Sequence, residues 1–557
     1  MKQNNPSNES PDPISFASLR ASLRRLWALE GKTPPPNPGP LDLATQLAPR
    51  YDFLPKPLFF EVNGDDVVIK YPDEPASAKA EAQQLSQRAL ERKNQGDYAG
   101  AACWWRRALE KQPSWQGARR DLAHAYFELG DFPQAKPLLL HILWCDPDNA
   151  WALAALGKIA YGDGNSAGAE RYLRLALAIE PQYASALNNL AVVCASTGRS
   201  HQAVALFKQA INLEPQEPYA HYGLARTLAA QGKCEESVAA TERLFAIAKP
   251  QGEESAAMSD SAQRTFLACQ QQLVRQNHPR AKSTVRELRT ETEKLSGCPI
   301  RITYEKGVTM LGAAGVLLAW DNDCDHHVVQ CQREGAKNLR PHLLASALLR
   351  IQAEAQARTA GQRRLFDVNE EQIRGMLSLF DPLPASLGSD AIECFAARIR
   401  EMVLCPLNAL IGSAPPMLVE ARLRQRFPVL RPAQFLALAE GFTENWQAHQ
   451  KLLTGLPRLP QPLQRPLTAL MGLDALYLDW LFEGVPDYAA RYRRLDGFEL
   501  SQSLWQHWQS RFPTMKPGDE FAIIDDFADI LGLAGRYEWL KDHPLGPGSI
   551  SPPTPGR

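Results

Sequence analysis

A mainly α-helical fold in two parts, an array of helical hairpins followed by a mostly helical α+β region with a small sheet, follows from three observations. Glycines at 96, 130, 164, 198 and 232 stand 34 residues apart, and prolines at 113, 147, 181 and 215 keep the same interval. The period stops near residue 250, and from 338 to 541 the apolar spacing is mostly that of helices. Three short runs rich in β-formers, 299–305, 309–320 and 326–334, predict the sheet.

Composition sets the outer limits. A chain of 557 residues is too long for one hydrophobic core, so two or more domains are expected. Basic and acidic residues nearly cancel, 61 against 62, which gives no support to a general nucleic-acid or membrane-surface binder; neither is expected as a partner. The opening MKQNNPSNESPDPISF has no apolar core behind a basic start, so no signal peptide is expected, and no apolar run approaches the ~20 residues of a bilayer span. Ten cysteines without a Cys-x-x-Cys pair argue against a disulfide framework or structural zinc. Reduced thiols in a cytoplasm fit them better.

Residues 1–50 are rich in Pro, Asn and Ser, including KTPPPNPGP at 32–40, and are expected to be largely disordered. Within them, 15–31 has the spacing of an amphipathic helix, with Leu19, Leu23, Leu26 and Leu29 on one face. Residues 51–81 are expected to hold a β-hairpin and a linker, because Asn63-Gly64 separates two β-rich runs.

The repeat proper covers 82–250 in five units. Each glycine suits a turn between two helices, where positive φ is needed. Small residues in phase, Ala101, Ala135, Ala169, Ala203 and Ser237, let paired helices approach closely. Proline ends each second helix because it cannot continue the hydrogen-bond ladder. A hairpin of this size cannot bury its apolar face alone, so neighbouring hairpins must stack.

These spacings resemble the tetratricopeptide repeat, one unit being ALNNLAVVCASTGRSHQAVALFKQAINLEP at 186–215. The third unit departs with Ala160 where tyrosine is usual, and the fifth lacks the terminal proline and carries Ser237. The resemblance implies a superhelix whose first helices line a concave groove for a peptide or protein segment. Repeat positions 2, 5, 9 and 12 then assign Arg120, His124, Phe127, Trp151, Lys158, Tyr161, Asn188, Tyr219, Tyr222 and Arg226 to that groove. Aromatic rings there would stack on a peptide and the cations would pair with a carboxylate. Packing against another part of the chain is the alternative for the same residues.

After a polar break at 250–260, a helix is expected over 261–296 and a mainly helical domain over 261–541, with a flexible tail at 542–557. The turn DNDCDHH at 321–327 has Asp321, Asp323 and Asp325 at the first spacings of a calcium loop. His326 and Gln332 occupy positions that require Gly and Glu, so a solvated turn is expected instead. Acid pairs such as Asp525-Asp526 are expected on a solvated helix face.

The order strand, strand, helix at 339–358, together with APPMLVE, VLRPAQF and DEFAIIDDFADILGLAGRYEWL, is similar to a zincin-like peptidase domain found in some bacterial tetratricopeptide-repeat proteins. The resemblance places Ser346 and Arg350 where two imidazoles would bind zinc, Ala347 at the general base and Glu420 at a third ligand. Serine is a poor zinc ligand, arginine is cationic and alanine accepts no proton, so a degenerate, pseudo-peptidase domain is expected. No Gly-x-Ser-x-Gly elbow or phosphate-binding loop occurs. The sequence therefore predicts a non-catalytic adaptor that binds a protein or peptide partner, with no metal, no other cofactor and no catalytic residue. A hydrolase or metallopeptidase with an atypical site is the alternative, and a scaffold filled by its own N-terminal segment is a third reading.

Overall fold

The computed structural model describes residues 59–63, 66–70, 74–247, 253–305, 314–322, 324–332, 337–380, 389–454, 458–482 and 487–541. The expected helix at 15–31, the Pro-rich segment and the tail lie outside them. Two compact units divide the chain, 1–227 and 228–557.

In the first unit, strands β1 (Phe59–Asn63) and β2 (Asp66–Lys70) pair antiparallel, Phe59 opposite Lys70 and Asn63 opposite Asp66. This is the hairpin that Asn63-Gly64 predicts. Helical hairpins follow: α1 (Ala76–Asn94) with α2 (Tyr98–Lys111), α3 (Gln116–Glu128) with α4 (Phe132–Cys145), α5 (Ala150–Gly162) with α6 (Ser166–Ile179), and α7 (Ala184–Ser196) with α8 (Ser200–Leu213). A fifth pair joins α9 (Pro218–Ala230) to α10 (Cys234–Ile247).

Physical causes repeat with the sequence. Gly96, Gly130, Gly164, Gly198 and Gly232 all sit at φ of 72 to 80°, in the turns between paired helices. Ala101, Ala135, Ala169, Ala203 and Ser237 are fully buried, as close helix approach requires. Asp97, Asp131 and Asn165 cap the helices that follow by accepting from Gly100, Gln134 and Gly168 N–H. Arg199 occupies the next equivalent position and makes no such cap. Its guanidinium instead donates twice to Glu170 (2.6 and 2.8 Å), bracing the third repeat to the fourth.

The phase also organises a buried polar contact. Arg119 is fully buried, and its guanidinium meets the Pro113 carbonyl and His141 Nε2. Three repeats on, His221 reaches the equivalent Pro215 carbonyl at 3.0 Å. Leu153 and Leu187 hold the corresponding position in the repeats between and are buried.

The unit boundary falls inside α9, and α10 belongs with the second unit. The expected break at 250–260 is corrected in part: α11 begins at Glu253 and runs without interruption to Ser296. Its buried residues Met258, Ala262, Phe266, Cys269 and Leu273 fall three or four apart, which marks one helix face. Phe266 meets Phe435 edge to face at 5.0 Å, and Val285 and Leu288 join the core beneath the sheet. The helix thus connects two cores.

The predicted sheet is present as β3 (Ile300–Glu305), β4 (Gly315–Leu317) and β5 (His327–Gln332), in the order β3-β5-β4. β3 runs parallel to β5, and β4 antiparallel to it. Helix α12 (Arg340–Thr359) covers it with Ala345, Leu348, Leu349 and Ile351. A second small sheet, β6 (Arg364–Asp367) paired with β7 (Glu538–Lys541), lies within a stretch expected to be mostly helical. The remaining helices include α13 (Glu370–Leu377), α14 (Ser389–Ile411), α15 (Ala414–Arg426), α16 (Arg431–Thr454), α17 (Gln461–Leu481), α18 (Phe498–Arg511) and α19 (Asp519–Leu531).

Three further expectations change. The stretch 396–426 is long and apolar enough to cross a membrane, yet more than half of its most apolar part is buried in the protein. Leu407, Leu410 and Met417 belong to the main core, which accounts for the hydropathy. Asp525 and Asp526 are half-buried rather than solvated: Asp525 accepts from Tyr537 Oη (2.6 Å) and Trp539 Nε1 (2.7 Å), while Asp526 meets His507 and Arg511. In the turn at 321–327, Asn322, Cys324 and Asp325 are exposed as expected, but Asp321 is partly buried. Buried Arg363 grips its carboxylate through two nitrogens and donates to Glu354 at 2.8 Å.

Candidate functional site

The ten groove candidates occupy the first helices of repeats two to five. Arg120, His124 and Phe127 come from α3, Trp151, Lys158 and Tyr161 from α5, Asn188 from α7, and Tyr219, Tyr222 and Arg226 from α9. None is buried, although Leu122, Ala123, Leu153, Leu156, Leu187, Leu190, Ala220 and Leu224 on the same helices are core. Helical periodicity separates the two sets.

The structure draws six of them into two groups. His124 stacks on Trp151 with ring centres 5.8 Å apart and planes 18° apart. Phe127 approaches the same indole edge-on at 6.4 Å, and Lys158 Nζ lies 4.9 Å from the Phe127 ring centre. The three rings lie against one another with a cation at their edge. On α9, Arg226 lies over Tyr222 at 5.4 Å and reaches its hydroxyl at 3.5 Å. Arg120 and Tyr219 are exposed, while Tyr161 and Asn188 are half-buried.

Periodic bookkeeping reveals two rings that the four chosen repeat positions omitted. Tyr98 and Phe132, 34 residues apart, begin the second helices α2 and α4. Their rings lie 6.3 Å from His124 and 6.0 Å from Phe127 respectively. Both follow a capping aspartate, so scanning every repeat position for aromatic residues would find them.

The electrostatics favour a neutral imidazole at the centre. Burial lowers the His124 pKa, and Lys93 lowers it further, against the opposing pull of Glu128 and Asp121. Burial also holds the Asp121 carboxyl above its usual range. Among the described residues, His124 Nδ1 and Asn188 Oδ1 are shielded from water and have no hydrogen-bond partner. A buried polar atom left unpaired is costly, and both atoms are closed to solvent as the side chains stand.

In the second unit, the suspected metal helix has a different chemistry. Ser346 Oγ donates to Glu420 Oε1 at 2.7 Å, and Gln434 Nε2 donates to Glu420 Oε2 at 2.8 Å. His342 is fully packed, with Nε2 3.7 Å from Glu420. Burial lowers the His342 pKa, partly offset by Glu420. Ser346 and Glu420 meet across 74 residues of sequence. The groups themselves make a hydroxyl–carboxylate–amide cluster. Among the described residues, no group of three or more His, Cys, Asp or Glu side chains is arranged to hold a metal.

Profiles of the tetratricopeptide repeat match residues 195–258 and 116–140. The chain carries tetratricopeptide repeats. Their presence points to protein partners and to an interaction scaffold. Similar solved structures include a thermophilic tetratricopeptide-repeat protein of Thermus thermophilus, at 24% identity and a TM-score of 0.28, covering 32% of this chain and 98% of that one. PilW, a widely conserved type IV pilus biogenesis factor, is 22% identical with a TM-score of 0.29, covering 34% of this chain and 91% of its own. MamA from residue 41 onward, of Desulfovibrio magneticus RS-1, is 18% identical with a TM-score of 0.27, covering 31% and 97%. A search of curated proteins finds no match. Neither repeat profile extends into the region that resembles a zincin-like domain, and these comparisons give that resemblance no support.

Proposed function

We propose that this protein is a non-catalytic adaptor, cytoplasmic in setting, which holds an extended protein segment along the first helices of its repeats. The observation that carries the reading is the row at His124, Phe127, Trp151 and Lys158. Stacked rings supply area at low entropic cost, and the Lys158 ammonium at their edge can meet an acidic group of the segment. Arg226 over Tyr222 offers a guanidinium to an acidic side chain or terminal carboxylate. The reduced thiols expected from the sequence support the cytoplasmic setting.

The test is capture of partners from the native cell by the full chain, identified by mass spectrometry, beside the double variant Trp151→Ala, Tyr222→Ala. An aromatic anchor contributes ~2 kcal/mol or more when it is a hot spot, so capture should fall at least tenfold. Both rings are only half-buried, and thermal unfolding should move little. Undiminished capture removes the groove assignment. A large fall in melting temperature shows instead that the rings support the protein's own packing.

A further inference from the structure

The second unit contains a cavity of about 300 Å³ lined by residues of α12, α15, α16 and α17. That volume lies at the lower end of small-ligand sites. Much of its wall is apolar, with Met417, Phe442 and Leu478 among the lining residues. Two carboxyl groups interrupt this surface. Glu420 is 5% exposed and is held by Ser346 and Gln434. Asp474 is partly buried and, among the described residues, has no hydrogen-bond or ion-pair partner. Both lie near Tyr477, whose hydroxyl donates to the Met417 carbonyl at 2.7 Å, so they occupy the same region of the wall.

A cation is the natural complement to carboxyl groups in an apolar wall, because removing such groups from water is otherwise uncompensated. Burial holds the Asp474 carboxyl up at about 7. The opposite charge is also present in the lining. Arg350 is exposed and follows Ser346 by one helical turn, about 6 Å along the axis.

We propose that this cavity binds a basic amino-acid residue bearing a free α-carboxylate, either arginine or lysine itself or the C-terminal residue of a peptide. Glu420 and Asp474 face its side-chain cation, Phe442 and Leu478 flank its aliphatic stem, and Arg350 pairs with its carboxylate. The free amino acid and the peptide terminus present the same chemistry to these residues. The site is separate from the repeat row and stands whether or not that row binds a partner.

Calorimetric titration of the full chain tests it with L-arginine, L-lysine, a peptide ending in free arginine and the same peptide amidated. Citrulline keeps the shape and carboxylate but lacks the charge, and agmatine keeps the charge but lacks the carboxylate. We expect saturable binding of arginine, lysine or the free-ended peptide, with citrulline and the amidated peptide at least about tenfold weaker. Asp474→Asn should weaken arginine about tenfold or more. Arg350→Ala should reduce arginine to the level of agmatine while leaving agmatine unchanged. Binding by the free amino acid identifies a small-molecule site, and binding confined to the free-ended peptide identifies a terminus receptor; either supports the proposal. No binding by any probe at millimolar concentration, equal binding of citrulline, or full affinity in folded Asp474→Asn overturns it. Circular dichroism establishes that each variant is folded, and Trp151→Ala with Tyr222→Ala should retain arginine binding.

Discussion

Arg119 in the first unit and Arg363 in the second are both buried, yet they are specified in opposite ways. Arg119 lies at a repeat position, and its acceptor is the carbonyl of a proline that recurs every 34 residues. His221 makes the corresponding contact with Pro215, while leucine replaces both in the repeats between. Arg363 joins Asp321, 42 residues away, to Glu354 on α12, and no other segment shows what could replace it. In the repeats, a solution to one packing problem is printed several times with variations. In the second unit each solution is made once.

This difference predicts how mutations can be rescued. Arg119→Ala leaves a void and strips His141 and the Pro113 carbonyl of their buried donor, so it should cost ~3–5 kcal/mol in urea denaturation. Arg119→Leu with His141→Leu copies the third repeat, where Leu153 and Leu175 stand in phase, and should recover most of that loss. Failure of the double replacement would mean that the repeats are less interchangeable than their shared positions imply. Burial and the neighbouring Arg119 guanidinium keep the His141 pKa low, so the native pair does not require two buried positive charges.

The same contrast explains what could be read from the sequence. Turn glycines and buried alanines follow from one period, because the contacts that define them are local and repeated. Tyr98 and Phe132 escaped only because they lie on second helices rather than at the four positions assigned to the row. In the second unit, α12 and the sheet were legible from apolar spacing, but the roles of polar residues were not. Asp525 and Asp526 look like an ordinary solvated pair until Tyr537, Trp539, His507 and Arg511 are folded against them. The Ser346–Glu420 contact has no local pattern behind it, since it joins residues 74 apart in sequence. β6 and β7 escaped because each has four residues, and their pairing spans the intervening helices.

A second test uses pH on the unrepeated side of the comparison, with no ligand present. The Asp474 carboxyl has a value of about 7 in the folded protein against 3.8 for an unperturbed aspartate, with burial as the cause. Between those values the folded chain binds more protons than the unfolded chain, so this group's contribution to stability falls as pH rises from about 4 to 7. Asp474→Asn removes that dependence. Discounting for partial exposure, it should stabilise the protein by on the order of 2 kcal/mol at pH 8 and hardly at all near pH 4. Parallel denaturation curves at the two pH values check this. Equal effects at both would show that the asparagine acts through packing rather than charge.

The smallest expected effect asks whether the turn glycines are conformational requirements or only the residues that happen to accompany small neighbours. Gly198 has a φ of +80°, with nothing within 4 Å of the position a Cβ would take. Alanine there meets no obstacle, so any cost isolates the backbone: about 1 kcal/mol for forcing an L-residue into the left-handed region. Gly162, at the end of helix α5, also has open space but has no left-handed φ. Gly162→Ala should therefore be neutral or stabilise by up to ~1 kcal/mol, because alanine loses less backbone freedom on folding. The pair controls for side-chain size, since the same methyl is added to empty space at both sites. If urea denaturation gives the two variants the same sign and size, the 34-residue spacing of glycine does not reflect turn geometry. Opposite signs would attribute the period to the backbone conformation itself, independently of the packing that the alanines provide.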